Sequence, residues 1–118
     1  MKTEQPKNLI AELSFEFALK IIKYAESLNE NKKYIISNQL LKSGTSIGAN
    51  VKEAQNAESR ADFIHKIKIA AKEAGETEYW LQLCKVSENN PVTDELLSSN
   101  LSIIRILSRI IISAKTEK

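Results

Sequence analysis

The chain has 118 residues, a formal net charge of +2, and 42% hydrophobic and 27% charged residues. That is the size and balance of one globular domain, and it excludes an intrinsically disordered chain. Three glycines and two prolines are too few for the turns of an all-β fold. The near-neutral charge neither requires nor forbids a nucleic-acid partner.

The sequence favours a cytoplasmic, membrane-free protein. Its single cysteine, Cys84, cannot form an internal disulfide, which fits a reducing compartment. The first ten residues, MKTEQPKNLI, lack the apolar stretch of a secretory signal. No segment approaches the roughly 20 consecutive apolar residues that a transmembrane helix needs.

Apolar residues recur at spacings of three and four along four stretches, as they do on one face of a helix. The predicted helices cover residues 8–29, 34–56, 60–87 and 93–115. Because the connections between them are short, neighbouring helices should run antiparallel. The sequence therefore predicts an all-α protein, with residues 1–118 forming a single domain folded as an antiparallel up-down-up-down four-helix bundle.

The second helix has an unusual centre made of small residues. Gly44 and Gly48 lie four residues apart, and Ala70 and Ala74 repeat that spacing in the third helix. Small side chains at this spacing let two helix backbones approach closely. We therefore expect the second and third helices to pack against each other through these four positions.

The fourth helix carries more large apolar residues than a bundle requires. They cover an arc of roughly 240° around the helix axis, whereas a bundle helix buries a stripe of little more than 100°. We therefore expect the chain to form a homo-oligomer, with a contact built from Leu97, Leu101, Ile103, Ile106 and Ile112. Scattered exposed isoleucines or a helix lying on a membrane surface are the alternatives.

No arrangement of residues in the sequence supports catalysis or metal binding. A di-metal bundle needs two Glu-x-x-His pairs and two further Glu, but His65 is the only histidine and pairs only with Asp62. Cys84 lies in a helical run without an activating group and fits a core position. We predict a non-enzymatic protein with no cofactor and no metal.

Two further features bear on nucleic-acid binding. Tyr79 and Trp80 suggest a base-stacking site, but Trp80 and Leu81 continue the apolar pattern, which favours burial in the core or at a contact between subunits. Acidic residues offset the lysines on each helix, so no continuous basic stripe is expected on one chain. A ring of subunits would repeat Arg105 and Arg109 around one axis and so concentrate positive charge.

The residues from about 39 to 83 carry a family resemblance. They include QLLKSGTSIGANVKEAQ, SRADF, IKIAAKEA and ETEYWL in that order. This run resembles the four-helix-bundle proteins encoded in intervening sequences of bacterial large-subunit ribosomal RNA genes. The same fold includes the accessory variability determinant of diversity-generating retroelements.

The resemblance implies an antiparallel bundle assembled as a ring, commonly a homopentamer, without enzymatic activity. For the retroelement members it implies binding to nucleic acid and to a reverse transcriptase through a basic surface. Gly75 and Gln82 stand where the resemblance would place arginine in many relatives. If those arginines contribute to the basic surface, this chain has lost part of it.

These observations together predict a non-catalytic, oligomeric interaction module of the bacterial cytoplasm. Its expected partners are copies of itself, RNA or DNA, and a nucleic-acid-handling protein such as a reverse transcriptase. The predicted phosphate contacts are Arg105 and Arg109, with Lys66 and Lys72 behind them. The alternative is a purely protein-binding scaffold that uses the surplus apolar face of the fourth helix.

Overall fold

Four helices joined by short turns make up the protein in a computed structural model, which describes the backbone of residues 6–116 and side chains from residue 9. Helix α1 spans Pro6–Glu30, α2 spans Tyr34–Gln55, α3 spans Arg60–Glu88 and α4 spans Val92–Thr116. The predicted all-α class and the four helices are confirmed. Residues 1–5 and 117–118 of the predicted domain lie outside the described residues.

Local signals in the sequence set the helix ends. The Ser59 hydroxyl accepts a hydrogen bond of 3.0 Å from the backbone N–H of Asp62 and so caps the start of α3. Helix α3 ends at Asn89, which has a left-handed backbone with φ 51° that asparagine tolerates better than most residues. Lys32, with φ 62°, makes the turn between α1 and α2.

Each helix packs beside the next one in the chain, and α1 also contacts α4, which closes a four-sided antiparallel bundle. The α1–α4 contact is the sparsest of the four, and the diagonal pairs make no close backbone contact. All four helices supply large side chains to one core. Its fully buried members include Ile10, Phe17, Ile21, Leu28, Leu40, Ile47, Ile67, Leu81, Leu96, Ile103 and Leu107.

Buried hydrogen bonds fix how the helices align lengthwise. The hydroxyls of Ser43 and Thr77 are hydrogen-bonded at 2.9 Å between α2 and α3. The Asn100 amide of α4 donates to the carbonyl oxygen of Ala74 of α3, also at 2.9 Å. Because a buried polar group that loses its partner costs about 1–3 kcal/mol, these bonds oppose sliding of either helix pair. Ala70 and Ala74 are fully buried in α3, as close packing requires.

The glycines of α2 face α1 rather than α3. A Cβ atom built at Gly44 would lie 2.8 Å from Cγ2 of Ile21, and one at Gly48 would lie 3.4 Å from Oγ of Ser14. The prediction that these two glycines pack against α3 is therefore wrong. Their role is to let α1 approach α2, because no larger side chain fits at Gly44.

Helix α4 is long and apolar enough to cross a membrane by length and composition alone, and it is the one described helix that meets this test. The core helix of a soluble bundle meets the same test. In the structure Leu96, Ile103 and Leu107 of α4 are buried against the other helices.

Substitution of Gly44 by alanine should destabilise the bundle. The added methyl group would overlap the buried Ile21, and overpacking of this kind costs about 1–3 kcal/mol, against a gain of about 1 kcal/mol in helix propensity. The midpoint of chemical denaturation should fall for Gly44→Ala and rise for Gly48→Ala, where the added Cβ makes only an ordinary contact with Ser14 and the gain in helix propensity remains. Equal midpoints for the two variants would show that the α1–α2 contact is not this tight.

Tyr24 of α1 and Cys84 of α3 are buried close together in the core. Burial raises the pKa of both groups, because the charged forms lose hydration there. The Tyr24 hydroxyl forms no hydrogen bond of acceptable geometry, although it lies near the Cys84 thiol.

The protein should therefore lose stability at alkaline pH. Both groups hold their protons more tightly in the folded than in the unfolded state, so unfolding gains from proton release once the pH exceeds their unfolded pKa values, about 8.5 for Cys and 10 for Tyr. Denaturation at a series of pH values should show a flat region below about pH 8 and a decline above it. Tyr24→Phe should make the decline shallower; an unchanged decline would contradict this cause.

Candidate nucleic-acid interface

Two acid-free stretches of the sequence carry a large share of the cations. Residues 63–72 contain three lysines, residues 96–116 contain two arginines and one lysine, and neither stretch contains Asp or Glu. The antiparallel packing sets the N-terminal half of α3 beside the C-terminal half of α4. The two stretches therefore meet in one half of the bundle.

Lys68 of α3 and Lys115 of α4 lie next to each other where these stretches meet. Contact with the Lys115 amino group, together with the repulsion between the two ammonium charges, lowers the pKa of Lys68. Neither lysine forms an ion pair with a carboxylate of the described residues. An anion held between them would relieve the repulsion, so the pair favours binding of a phosphate group.

Three more cations extend this surface. Lys72 lies one helical turn from Lys68, and Arg105 and Arg109 lie one turn apart on α4. All three are exposed, and within residues 6–116 none forms an ion pair. We call the set of five the cationic face. Its members are Lys68, Lys72, Arg105, Arg109 and Lys115.

Lys66, a predicted phosphate contact, does not belong to the cationic face. Its Nζ atom lies 3.4 Å from a carboxylate oxygen of Glu53 in α2 and 3.8 Å from one of Asp62. Two acids therefore offset its charge on the α2 side of α3. The sequence does not single out Lys68 and Lys115 as a pair. The balance of charges along one helix does not show which charges of the neighbouring helix lie beside it.

The bundle itself covers most of the apolar residues predicted to join copies of the chain. Ile103 is only 2% exposed and belongs to the core, so its assignment to an interface is wrong. Leu97 and Ile106 are half-buried and pack against that core. Of the predicted contact residues, Leu101 and Ile112 are exposed.

A stronger apolar stripe lies on α1. Phe15, Leu19 and Ile22 follow the spacing of one helix face, all three are exposed, and Phe15 is 66% exposed. We call these three residues the α1 stripe. Isolated apolar residues are common on protein surfaces, but contiguous ones mark a contact with another molecule.

A second apolar group lies at the end of the bundle where α2 begins and α3 ends. Ile35 and Val86 are each more than 80% exposed there, and Leu83 is also exposed. We call these three residues the end patch. The chain thus presents two unlike apolar surfaces on different helices.

The neighbouring aromatic residues of α3 have different environments. Trp80 is half-buried, and its Nε1–H donates to a carboxylate oxygen of Glu76 at 3.4 Å. Tyr79 contacts the Trp80 ring edge to face, with the ring centres 5.2 Å apart, yet remains 55% exposed. Trp80 therefore belongs in part to the core, as its apolar pattern predicts, whereas Tyr79 lies at the surface of the chain.

Catalytic groups do not cluster in the described part of the chain. Within residues 6–116 no three His, Cys, Asp or Glu side chains are placed to hold a metal ion. His65 is exposed, and Cys84 is buried with a raised pKa, which keeps its thiol protonated and unreactive at neutral pH.

These features define an antiparallel four-helix bundle with a cationic face and exposed apolar surfaces. The family model described as 23S rRNA-intervening sequence protein matches residues 7–113, and the chain belongs to that family. The predicted family is thereby confirmed.

A solved structure agrees with this assignment. The chain is 44% identical, with a TM-score of 0.87, to the crystal structure of a protein of unknown function from the S23 ribosomal protein family of Bacteroides thetaiotaomicron. The match covers 91% of this chain and 98% of that one. No functionally curated protein matches significantly. Neither the family description nor that of the crystal structure names a catalytic activity.

Proposed function

We propose that this protein is a non-catalytic, cytoplasmic interaction module that assembles with copies of itself and binds nucleic acid through the cationic face. The observation that carries the proposal is the side-by-side placement of two acid-free stretches, marked by the contact between Lys68 and Lys115. Cations that carboxylates do not neutralise bind phosphates with release of counterions, which supplies most of sequence-independent affinity.

The layout of the cationic face fits a nucleic acid better than an acidic protein. From Arg105 to Lys115 the face extends roughly 15 Å along α4, at 1.5 Å per residue. Lys68 and Lys72 are one turn apart, as are Arg105 and Arg109, and a phosphate backbone repeats its charge along its length. The exposed apolar surface needed for a protein contact is concentrated elsewhere, in the α1 stripe and the end patch.

Self-assembly is the simplest use of those two apolar surfaces. The two surfaces differ and lie on different helices. If the α1 stripe of one copy contacts the end patch of the next copy, the copies are therefore arranged head to tail. Such contacts form closed rings when the rotation between copies closes. A ring, with five copies as the resemblance suggests, would repeat the cationic face around one axis and raise its affinity for a long polyanion.

The alternative of a protein-binding scaffold built on α4 has less support. Leu101 and Ile112 are exposed there, but the intervening Ile104 and Ile111 are half-buried against the core. Arginines also lie between the two exposed residues. We therefore assign this side of the bundle to the anionic partner.

Binding to a labelled oligonucleotide should depend steeply on salt and on the cationic face. Replacing Lys68 and Lys72 by alanine should reduce the slope of log affinity against log salt by about 2, roughly one unit for each lost phosphate contact. The matched double variant of Lys20 and Lys23 on α1 should keep the wild-type slope. Fluorescence anisotropy at several salt concentrations measures both. Binding that does not depend on salt would contradict the proposal. An equal reduction of the salt slope in the two double variants would contradict it as well.

The wild-type chain should have a solution mass several times its 13.3 kDa protomer mass. Phe15→Glu should lower that mass, because a carboxylate buried in an apolar contact costs several kcal/mol. Ile112→Glu is the control, because it changes the α4 surface that the sequence predicts as the contact. It should leave the mass unchanged if the α1 stripe forms the contact instead. Light scattering after size-exclusion chromatography gives the masses. A wild-type protein that elutes as a single protomer would refute assembly.

A further inference from the structure

An exposed glycine in the middle of α3 has no structural role in the bundle. Gly75 has a helical backbone without positive φ, and a Cβ atom built on it would meet nothing within 4 Å. A glycine inside a helix costs about 1 kcal/mol relative to alanine. At Gly44 that cost is offset by the close approach of Ile21, but at Gly75 nothing in the chain offsets it.

Gly75 lies on one line with two cations and an aromatic ring. Lys68, Lys72, Gly75 and Tyr79 follow each other at spacings of four, three and four, so they share one face of α3. The line is roughly 16 Å long, at 1.5 Å per residue. All four residues are exposed. The line therefore runs from the cationic face, over a position without a side chain, to an accessible tyrosine ring.

The surroundings of Tyr79 hold the ring in place. The edge-to-face contact with Trp80 restricts the ring, while the bond from Trp80 Nε1 to the Glu76 carboxylate anchors Trp80 in turn. More than half of Tyr79 remains accessible. An aromatic ring that is ordered and exposed offers a face on which an unpaired base can stack.

We propose, building on the proposed function, that the bound nucleic acid is single-stranded and lies along this line of α3. Its phosphates contact Lys68 and Lys72, its backbone passes over Gly75, and one base stacks on Tyr79. The bare position at Gly75 lets the strand approach the helix, which explains a glycine that the bundle does not need. In a duplex the bases already stack on one another, so Tyr79 would have no base to receive.

The test compares a labelled single-stranded RNA, the single-stranded DNA of the same sequence, and the corresponding duplexes at one salt concentration. We expect either single strand to bind more tightly than its duplex. Tyr79→Ala should weaken single-strand binding roughly 5- to 100-fold, the range that stacking on an aromatic side chain supplies. Tyr79→Phe should retain the affinity, because the ring remains. Tyr34→Ala is the matched control, since Tyr34 is also 55% exposed but lies on α2, and it should have no effect.

Substitution of Gly75 gives an independent test, in which a loss of affinity cannot be attributed to a loss of folding. Gly75→Leu places a good helix former where no neighbour obstructs it, so its thermal midpoint should equal or exceed that of the wild type. Its affinity for the single strand should nevertheless fall at least roughly tenfold if the strand crosses there.

Three outcomes would overturn the inference. If Tyr79→Ala binds single strands like wild type while removal of Lys68 and Lys72 abolishes binding, the cationic face acts alone and the proposed function stands without a stacked base. Tighter binding of the duplex than of either single strand would have the same meaning. If Gly75→Leu lowers the solution mass instead of the affinity, the line is a contact between copies of the chain.

Discussion

The contact between α3 and α4 determines where the charges of this protein lie. The buried bond from the Asn100 amide to the Ala74 carbonyl fixes the lengthwise register of the two helices. In that register the acid-free part of α3 lies beside the acid-free part of α4, and Lys68 comes to lie against Lys115. A chain with a net charge of only +2 thereby obtains a local concentration of positive charge that its composition does not show.

The opposite side of the bundle follows from a different constraint. Gly44 and Gly48 let α1 approach α2 closely through Ile21 and Ser14, and Phe15, Leu19 and Ile22 lie exposed on the same helix. The protein therefore separates its two kinds of surface, with apolar contacts on α1 and at the end patch and cations on α3 and α4. That placement would let one chain associate with copies of itself while the charged face stayed open to a polyanion, as the proposed function requires.

The sequence predicted the helices well because the signals that set them are local. Three- and four-residue periodicity and the Ser59 cap depend on neighbours along the chain, and the observed boundaries lie close to those predicted. The surfaces were predicted less well because they depend on how each helix is turned. Small residues such as Gly44 fit against either neighbour, so periodicity could not decide between α1 and α3. Nor could it show that Ile103 fills the core, since α4 is apolar on several sides.

The surroundings of the lysines on α3 depend on the helices packed against it. Lys66 and Lys68 are two residues apart, which turns them to different sides of α3, one toward acids of α2 and the other toward Lys115. Only the packing of four helices distinguishes them. The family match and the structure with 44% identity establish the fold, and the cationic face is the feature on which the proposed function rests.

Lysine footprinting tests the central claim most directly. Acetylation of the native protein, with and without a saturating oligonucleotide, can be read at each lysine by mass spectrometry. The account predicts protection of Lys68, Lys72 and Lys115, and unchanged reactivity of Lys20, Lys23 and Lys42. Equal protection of all lysines, or protection confined to α1 and α2, would contradict it.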